Sequence, residues 1–374
     1  MRKILAAFLT LGFLAGISAA QSDRWSEQRA NDWYSGQPWL VGSNYIPSNA
    51  INQLEMWQPE TFDPQRIDVE LSWAEGVGLN SMRVFLHYFL WEQDPPGFQK
   101  RLETFLAIAN NHHIKIMFVL FDSCWDPNPH LGPQRPPRPG IHNSGWVQSP
   151  GAAVLEDPTK YPGLKKYVQD LLTWFGNDPR VIVWDLWNEP SNTNEGSYNR
   201  EEPEDKKKLI AELLPKVFAW AREANPSQPL TSGLWEGNWS SPKKLDLIAR
   251  IQFEESDILS FHDYEGPGEF RKHMEWLQRY HRPIFCTEYL ARPRHSTFAT
   301  ILPIAKANKV AAMNWGLVAG KTQTYLPWDS WQEPYITREP KEWFHDIFHA
   351  DGAPYRQSEV DFLRNITGTS SPAM

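Results

Sequence analysis

The chain reads as one α/β domain, a (β/α)8 TIM barrel. Three observations predict it. Short hydrophobic runs of strand length alternate with helix-length stretches eight times from residue 39 onward. Two of those runs stop abruptly at acidic residues: Val181–Trp187 ends in Asn188-Glu189-Pro190, and Pro283–Thr287 ends in Glu288-Tyr289. The first strand, Val41-Gly42-Ser43-Asn44, lacks the glycine-rich turn that an open doubly wound sheet usually advertises. Single barrels commonly occupy about 250 residues and grow by loop insertion, so 374 residues require no second domain.

The elements follow in order. Trp39 to Asn44 is the first strand. A helix over 64–77 carries Ile67, Val69, Leu71 and Trp73 and ends near Gly76 and Gly78. Ser81 to Leu86 is strand two, followed by a helix at 98–111. Ile114 to Phe121 is strand three, followed by a helix at 163–176. Val181 to Trp187 is strand four, followed by a helix across 204–224. Pro229 to Leu234 is a weaker fifth strand with a short helix at 243–252. Ile258 to His262 is strand six with a helix at 268–280. Pro283 to Thr287 is strand seven with a helix near 297–307. Val310 to Trp315 is strand eight, and 340–348 a final helix. Two connections are long, 122–162 and 316–339. Loops of that length without secondary structure are usually functional or disordered. Both carry Trp residues (Trp125, Trp146, Trp328, Trp331), so they are expected to be ordered walls of a cleft.

Composition narrows the partner. A net charge of −8 and a pI near 5.8 argue against nucleic acid, because phosphate binding needs a basic face. Nineteen Trp residues exceed what a core of this size needs, and aromatic faces stack on the apolar faces of sugar rings. Residues 1–20 read as a cleavable signal peptide, with Arg2 and Lys3, an apolar stretch from Ile4 to Ile17, and the small-residue site Ser18-Ala19-Ala20. The expectation is a secreted or periplasmic mature chain, 21–374, without a membrane span. Cys124 and Cys286 read as free thiols. No Cys or His spacing suits a metal, and no cofactor is implied. Asn238-Trp239-Ser240 and Asn365-Ile366-Thr367 fit the glycosylation acceptor pattern, which chance often produces. The acidic run 201–205 suits a solvated helix start.

Strand side chains alternate, so residues two apart share a face. Val183, Asp185, Trp187 and Glu189 form one such set; Ile284, Cys286 and Glu288 a second; Ser260, His262 and Tyr264 a third. If these faces point inward, Glu189, Glu288, His262 and Tyr264 gather at the C-terminal mouth, where barrels of this kind place their sites. Arg83 and Trp315 join the rim. Two carboxylates at strand exits are what acid–base cleavage of a glycosidic bond needs.

On these residues the chain resembles the clan A retaining glycoside hydrolases, most of all the family 5 group of cellulase- and mannanase-like enzymes, over residues 39 to about 350. Asn188-Glu189-Pro190 resembles the family's acid/base strand and Thr287-Glu288 its nucleophile strand. His262-Asp263-Tyr264 is similar to the His-x-Tyr of strand six, Arg83 to the strand-two arginine, and Trp315 to the strand-eight tryptophan. The resemblance implies that Glu189 is the general acid and then base, and that Glu288 attacks the anomeric carbon. Arg83 and Tyr264 would hold Glu288 ionised, and His262 would orient Glu189. Asn188 would bond the sugar 2-hydroxyl, and Trp315 would floor the sugar. One departure is visible: many members carry a His after strand three, where this chain reads Phe121-Asp122-Ser123-Cys124-Trp125. His87 or a loop polar group is a candidate replacement, and Asn44 and Asp122 are further candidates near the rim. Trp125 and Trp328 are candidate cleft walls.

The reading is thus a retaining β-glycoside hydrolase acting on glucan-, mannan- or xylan-type chains, with walls that favour short oligosaccharides or chain ends. Transglycosylation on the same site is the first rival. A non-catalytic carbohydrate-binding barrel is the second, disfavoured because a binder needs neither Glu189 nor Glu288. A metal-dependent hydrolase is the third, disfavoured because no early strand carries a His-x-His pair. The sugar, the linkage and the oligomeric state are left open by the sequence.

Overall fold

The computed structural model describes residues 23–369; the signal-peptide reading of residues 1–20 lies outside the described residues. Eight parallel strands form the sheet: β1 (Val41–Asn44), β2 (Ser81–Phe85), β3 (Lys115–Asp122), β4 (Val181–Asn188), β5 (Leu230–Thr231), β6 (Leu259–His262), β7 (Ile284–Tyr289) and β8 (Ala311–Asn314). Their order is β5-β4-β3-β2-β1-β8-β7-β6. A parallel bridge between Leu234 and Phe261 joins the two ends, with Leu234 N–H donating to the Ser260 carbonyl at 3.0 Å and His262 N–H to the Leu234 carbonyl at 2.8 Å. The sheet is thereby a single-domain (β/α)8 barrel.

Strands buried on both faces read as continuous apolar runs, and β3 and β4 do. Met82, Val84, Phe118 and Trp184 point outward into the large core under the helices. The helix Tyr161–Phe175 meets them with Leu164, Val168, Leu171, Leu172 and Phe175, spaced to share one face. Inside the barrel a smaller cluster of Leu40, Met117, Val183, Phe285 and Met313 fills the N-terminal half. A helix that the periodicity does not announce, Glu27–Ser35, packs against it, with Tyr34 5.2 Å from Phe285.

Several sequence expectations are corrected. No helix forms at 340–348; the last helix is Gln357–Thr367. Phe344, Ile347 and Phe348 have helical spacing but are buried loop residues. Arg292 takes up the carbonyls of His345 (2.6 Å) and Asp346 (2.7 Å), so those carbonyls are unavailable to a helical ladder, and Asp346 has φ 63°. The connection after β8 therefore runs to residue 356. Strand five shrinks to Leu230–Thr231, and short helices at Gln53–Trp57 and Tyr88–Gln93 were not expected.

Strict alternation also fails where it matters. Ile284 and Cys286 point outward into the helix-facing core, yet Glu288 turns inward to Arg83. Pairing on both sides of β7 shifts register in this stretch, between Phe261 and His262 on β6 and between Cys286 and Tyr289. Such irregularities re-aim a side chain next to a site. On β4, Leu186 and Trp187 both face the helices, and Asn188 rather than Trp187 turns in beside Asp185.

Asp257, fully buried before β6, accepts from the Trp25 N–H (2.8 Å), the Leu230 N–H (2.9 Å) and the Arg222 guanidinium (2.9 Å). It couples the N-terminal segment, β5 and the helix Lys206–Glu223. Asp257→Ala removes the buried anion that pairs with Arg222 and leaves two buried amides without their acceptor, and the expected loss is about 3 kcal/mol. Urea unfolding measures it; a midpoint equal to wild type contradicts the assignment.

Candidate active site

Asn44, Asp185, Asn188 and Glu288 at the C-terminal mouth are organised by Arg83, whose side chain is fully buried on β2. Its guanidinium donates to Asp185 Oδ2 (2.7 and 3.0 Å), to Glu288 Oε1 (2.7 Å), to Asn188 Oδ1 (2.7 Å) and to Asn44 Oδ1 (2.9 Å). Burial alone would lower its pKa, but Asp185 and Glu288 more than reverse that, so the cation is permanent. The Tyr264 hydroxyl donates to the other Glu288 oxygen, Oε2, at 2.6 Å.

Glu189 sits across from this pair. Its backbone has φ 43°, a left-handed conformation that a Glu rarely adopts and that swings its side chain off the end of β4. Oε1 meets His262 Nδ1 at 2.7 Å, while Oε2 accepts from Asn192 Nδ2 at 2.7 Å and from the Cys124 thiol at 3.1 Å. The His262 ring stands between the two carboxyls, with Nε2 3.5 Å from Glu288 Oε1. One oxygen of Glu189, one of Glu288 and an imidazole nitrogen of His262 all lie within 4.8 Å of one another.

The electrostatics differ on the two sides. Burial raises the pKa of both carboxyls. For Glu288 the raise is opposed by His262, Arg83 and Tyr264, two of them in direct contact. For Glu189 it is opposed by the Cys124 thiol and Asn192, neutral donors, with the Arg83 charge further off. Glu189 is thus the carboxyl without a touching cation. Burial lowers His262 to about 4, so the ring is neutral near pH 7, and burial pushes the Cys124 thiol well up, keeping it protonated. Asp122, raised to about 6 by burial, accepts from Trp146 Nε1 (2.6 Å) and Asn188 Nδ2 (2.9 Å). The spacing of Glu189, His262 and Glu288 would admit a divalent cation, but Arg83 already holds Glu288 Oε1 and two donors hold Glu189 Oε2.

A cleft of about 920 Å³ opens above these groups. Of the residues expected there, Asn188, Glu189, His262, Tyr264, Glu288, Trp315, Trp125 and Trp328 all line it. Asn44 is buried behind it and acts through Arg83. His87 does not reach the cleft: its ring is buried, caps the helix Tyr88–Gln93 and bonds the Gln148 carbonyl at 2.9 Å. The place of the missing strand-three His is taken by Cys124 on Glu189 and by Asp122 on Asn188. Asn192, Asn143, His142, His345 and Trp235 line the cleft without having been singled out; only loop packing brings them there. Asp185, visible on the strand-four face, could have been found as the buried anion that Arg83 requires.

The two long loops lock together over one end of the cleft. Asn143 N–H donates to the Thr322 carbonyl (2.7 Å), His142 N–H to Ser330 Oγ (2.9 Å), Tyr335 N–H to the Gly140 carbonyl (2.9 Å) and Trp331 Nε1 to the His142 carbonyl (2.9 Å). Trp125 stacks on Trp331 with centroids 5.2 Å apart and planes at 9°. Trp125, Trp328 and Trp331 of these loops line the cleft, whereas Trp146 is buried against Phe85 and Trp315.

The family model for cellulase, glycosyl hydrolase family 5, matches residues 140–333. Among solved structures, a single-residue variant of GH5_18 from Streptomyces cattleya in complex with Manβ1-4GlcNAc is similar, at 13% identity over 88% of this chain and 80% of its own, TM-score 0.58. An exo-β-1,4-mannosidase from Opitutaceae bacterium strain TAV5 is similar at 16% identity, covering 90% of this chain and 60% of its own, TM-score 0.59. An endo-β-1,4-mannanase from Thermotoga petrophila follows at 14% identity, covering 91% and 79%, TM-score 0.53. At these identities the likeness is one of fold. No curated protein sequence matches the chain.

The thiol contact is testable. A donor to the ionised carboxylate lowers its pKa, so Cys124→Ala should move the Glu189 titration upward, and Cys124→Ser should leave it near wild type. Carbon-13 NMR of labelled Glu carboxyls, assigned with Glu189→Gln, measures it; a downward move in Cys124→Ala contradicts the contact.

Proposed function

We propose, from the premise that the chain belongs to glycosyl hydrolase family 5 and is a glycoside hydrolase, that it removes terminal units from short β-linked oligosaccharides with retention of configuration. The observation that carries the mechanism is the short separation of the carboxyls of Glu189 and Glu288, whose oxygens approach within 4.8 Å. A retaining pair stands roughly 5–5.5 Å apart, whereas an inverting pair needs about 6.5–9.5 Å to admit a water.

Glu288, beside the Arg83 cation, is the carboxylate nucleophile. Its oxygen bonds to the anomeric carbon as the bond to the leaving oxygen breaks. Glu189, raised by burial and without a touching cation, gives its proton to that leaving oxygen. Water then attacks the anomeric carbon of the ester, Glu189 takes the water's proton, and Glu288 departs as a carboxylate. His262 Nδ1 and Glu189 Oε1 are 2.7 Å apart, a hydrogen bond that holds the Glu189 carboxyl in place, with its donor set by which group carries the proton. Asn188 spends Oδ1 on Arg83 and one N–H on Asp122; its Nδ2 also lies 3.3 Å from Cys124 Sγ, a weak acceptor that a sugar 2-hydroxyl can replace. Trp315, standing edge-on to Phe85 and Trp146 at 5.8 Å from each, presents a rigid indole as the sugar floor.

The bridged loops support action at chain ends, because a polysaccharide cannot thread through a closed wall. The fold neighbours titled as mannosidase, mannanase and a Manβ1-4GlcNAc complex make β-mannosides the first substrates to try, ahead of glucan and xylan oligomers. Export by the N-terminal signal fits such a substrate supply.

Glu288→Ala should lose turnover and be partly rescued by azide, with an inverted glycosyl azide as product. Glu189→Gln should lose roughly 10²–10⁴-fold on poor leaving groups and much less on activated aryl glycosides. NMR of the azide product and leaving-group kinetics check the pair; equal losses on both substrate types remove Glu189 from the acid role. For end-on action, viscosity of soluble mannan should fall slowly relative to reducing ends released. A rapid collapse with few ends means internal cleavage.

A further inference from the structure

Asn143 sits on the loop bridge in a conformation set by its backbone. It has φ 49°, its N–H donates to the Thr322 carbonyl at 2.7 Å, and its carbonyl accepts from the Trp146 N–H at 3.2 Å. The backbone thus has its partners, and the side chain does not. Asn143 is fully buried and lines the cleft, yet neither Oδ1 nor Nδ2 has a hydrogen-bond partner among the described residues. Buried polar groups are almost always satisfied, and an unsatisfied one carries its whole desolvation penalty. A residue chosen for the turn alone could have been Gly at no such cost.

His345 shows the same pattern from the other loop. It too is fully buried and lines the cleft, packed on Tyr264 at 5.4 Å and on His142 at 5.4 Å. Its Nδ1 faces the Leu290 carbonyl, which can only accept, so the proton is on Nδ1. Nε2 is left as a bare acceptor with no partner among the described residues. The two side chains together offer one donor nitrogen and two acceptors, all uncharged. A carboxamide matches two neighbouring hydroxyls, one as donor and one as acceptor, and an imidazole lone pair takes a third hydroxyl proton.

We propose that Asn143 and His345 are specificity-determining residues that read the hydroxyl groups of a neutral terminal sugar at the bridged end of the cleft. The proposal rests on the reading of the protein as an end-acting glycosidase and deepens it. The sugar satisfies the buried donor and acceptors on entry. An analogue lacking the hydroxyl that is read leaves them unpaired, which is how polar sites discriminate strongly.

The test uses the mature full-length protein with aryl β-mannoside and β-glucoside, and with the series in which each ring hydroxyl in turn is replaced by hydrogen. Two variants suit the local geometry. Asn143→Gly keeps the left-handed turn and removes the carboxamide. His345→Asn keeps a donor for the Leu290 carbonyl and removes the accepting ring nitrogen at the Nε2 position, which the shorter side chain does not reach. Thermal unfolding of Asn143→Gly should match wild type, because the amide makes no internal bond. Its kcat/KM on the parent substrate should fall roughly 10- to 100-fold. Wild type should fall by a similar factor on one or two of the deoxy substrates, and on those Asn143→Gly should lose nothing further. His345→Asn should lose its coupling at a different hydroxyl. Equal additional losses for wild type and variants on every deoxy substrate overturn the inference while leaving the proposed function standing. A folded wild type inert on every parent aryl glycoside overturns the proposed function and this inference together.

Discussion

The site depends on one buried cation. Arg83 reaches from β2 to partners on β1, β4 and β7, and it pairs with both Asp185 and Glu288. A guanidinium in a dry interior is tolerable only with paired anions and satisfied donors. Asp185 supplies one full partner deep in the barrel, and Glu288 supplies the second nearer the cleft. That asymmetry sets Glu288 at the edge of the cleft with Arg83 opposing the upward push of burial on its carboxyl, while Asp185 stays deep in the barrel. Asn44 and Asn188 use the remaining N–H directions, so the fork is held in one orientation and fixes four strand ends at once.

The same arrangement sorts the two glutamates. Both are buried, so both prefer to be protonated, and only Glu288 has a cation and a phenol in contact. Glu189 meets neutral groups instead: an amide, a thiol and an imidazole. Like groups in different surroundings can differ in protonation at one pH, and the proposed acid and nucleophile roles rest on that difference in contacts. Cys124 is an unusual member of that shell. As a weak donor it steadies the carboxylate less than an imidazolium would.

The loops determine what can enter. β3 and β8 deliver long connections to one end of the mouth, and the bridge from Gly140 to Tyr335 and from Asn143 to Thr322 closes that end. Stacked Trp125 and Trp331 stiffen it.

The barrel was legible in the sequence because hydrophobic runs and their helix partners recur with the right lengths, and these are local properties. Glu189, Glu288, His262, Tyr264 and Arg83 were legible because strand ends converge in this fold whatever the details. What alternation could not show was which residue turns inward at an irregularity: Cys286 faces out although two positions from Glu288, and Trp187 faces out while Asn188 faces in. Register shifts depend on the neighbouring strands, not on the strand itself. The false helix at 340–348 has the same origin, since Arg292 from a distant turn claims the carbonyls there. Cys124 on Glu189, the loop bridge, and the unpartnered Asn143 and His345 are contacts between segments far apart in the chain. The sequence by itself determined the architecture and the arrival of Glu189 and Glu288 at its C-terminal mouth. Only the tertiary structure decided the hydrogen bonds around that pair and the shape of the cleft, because both are set by non-local packing.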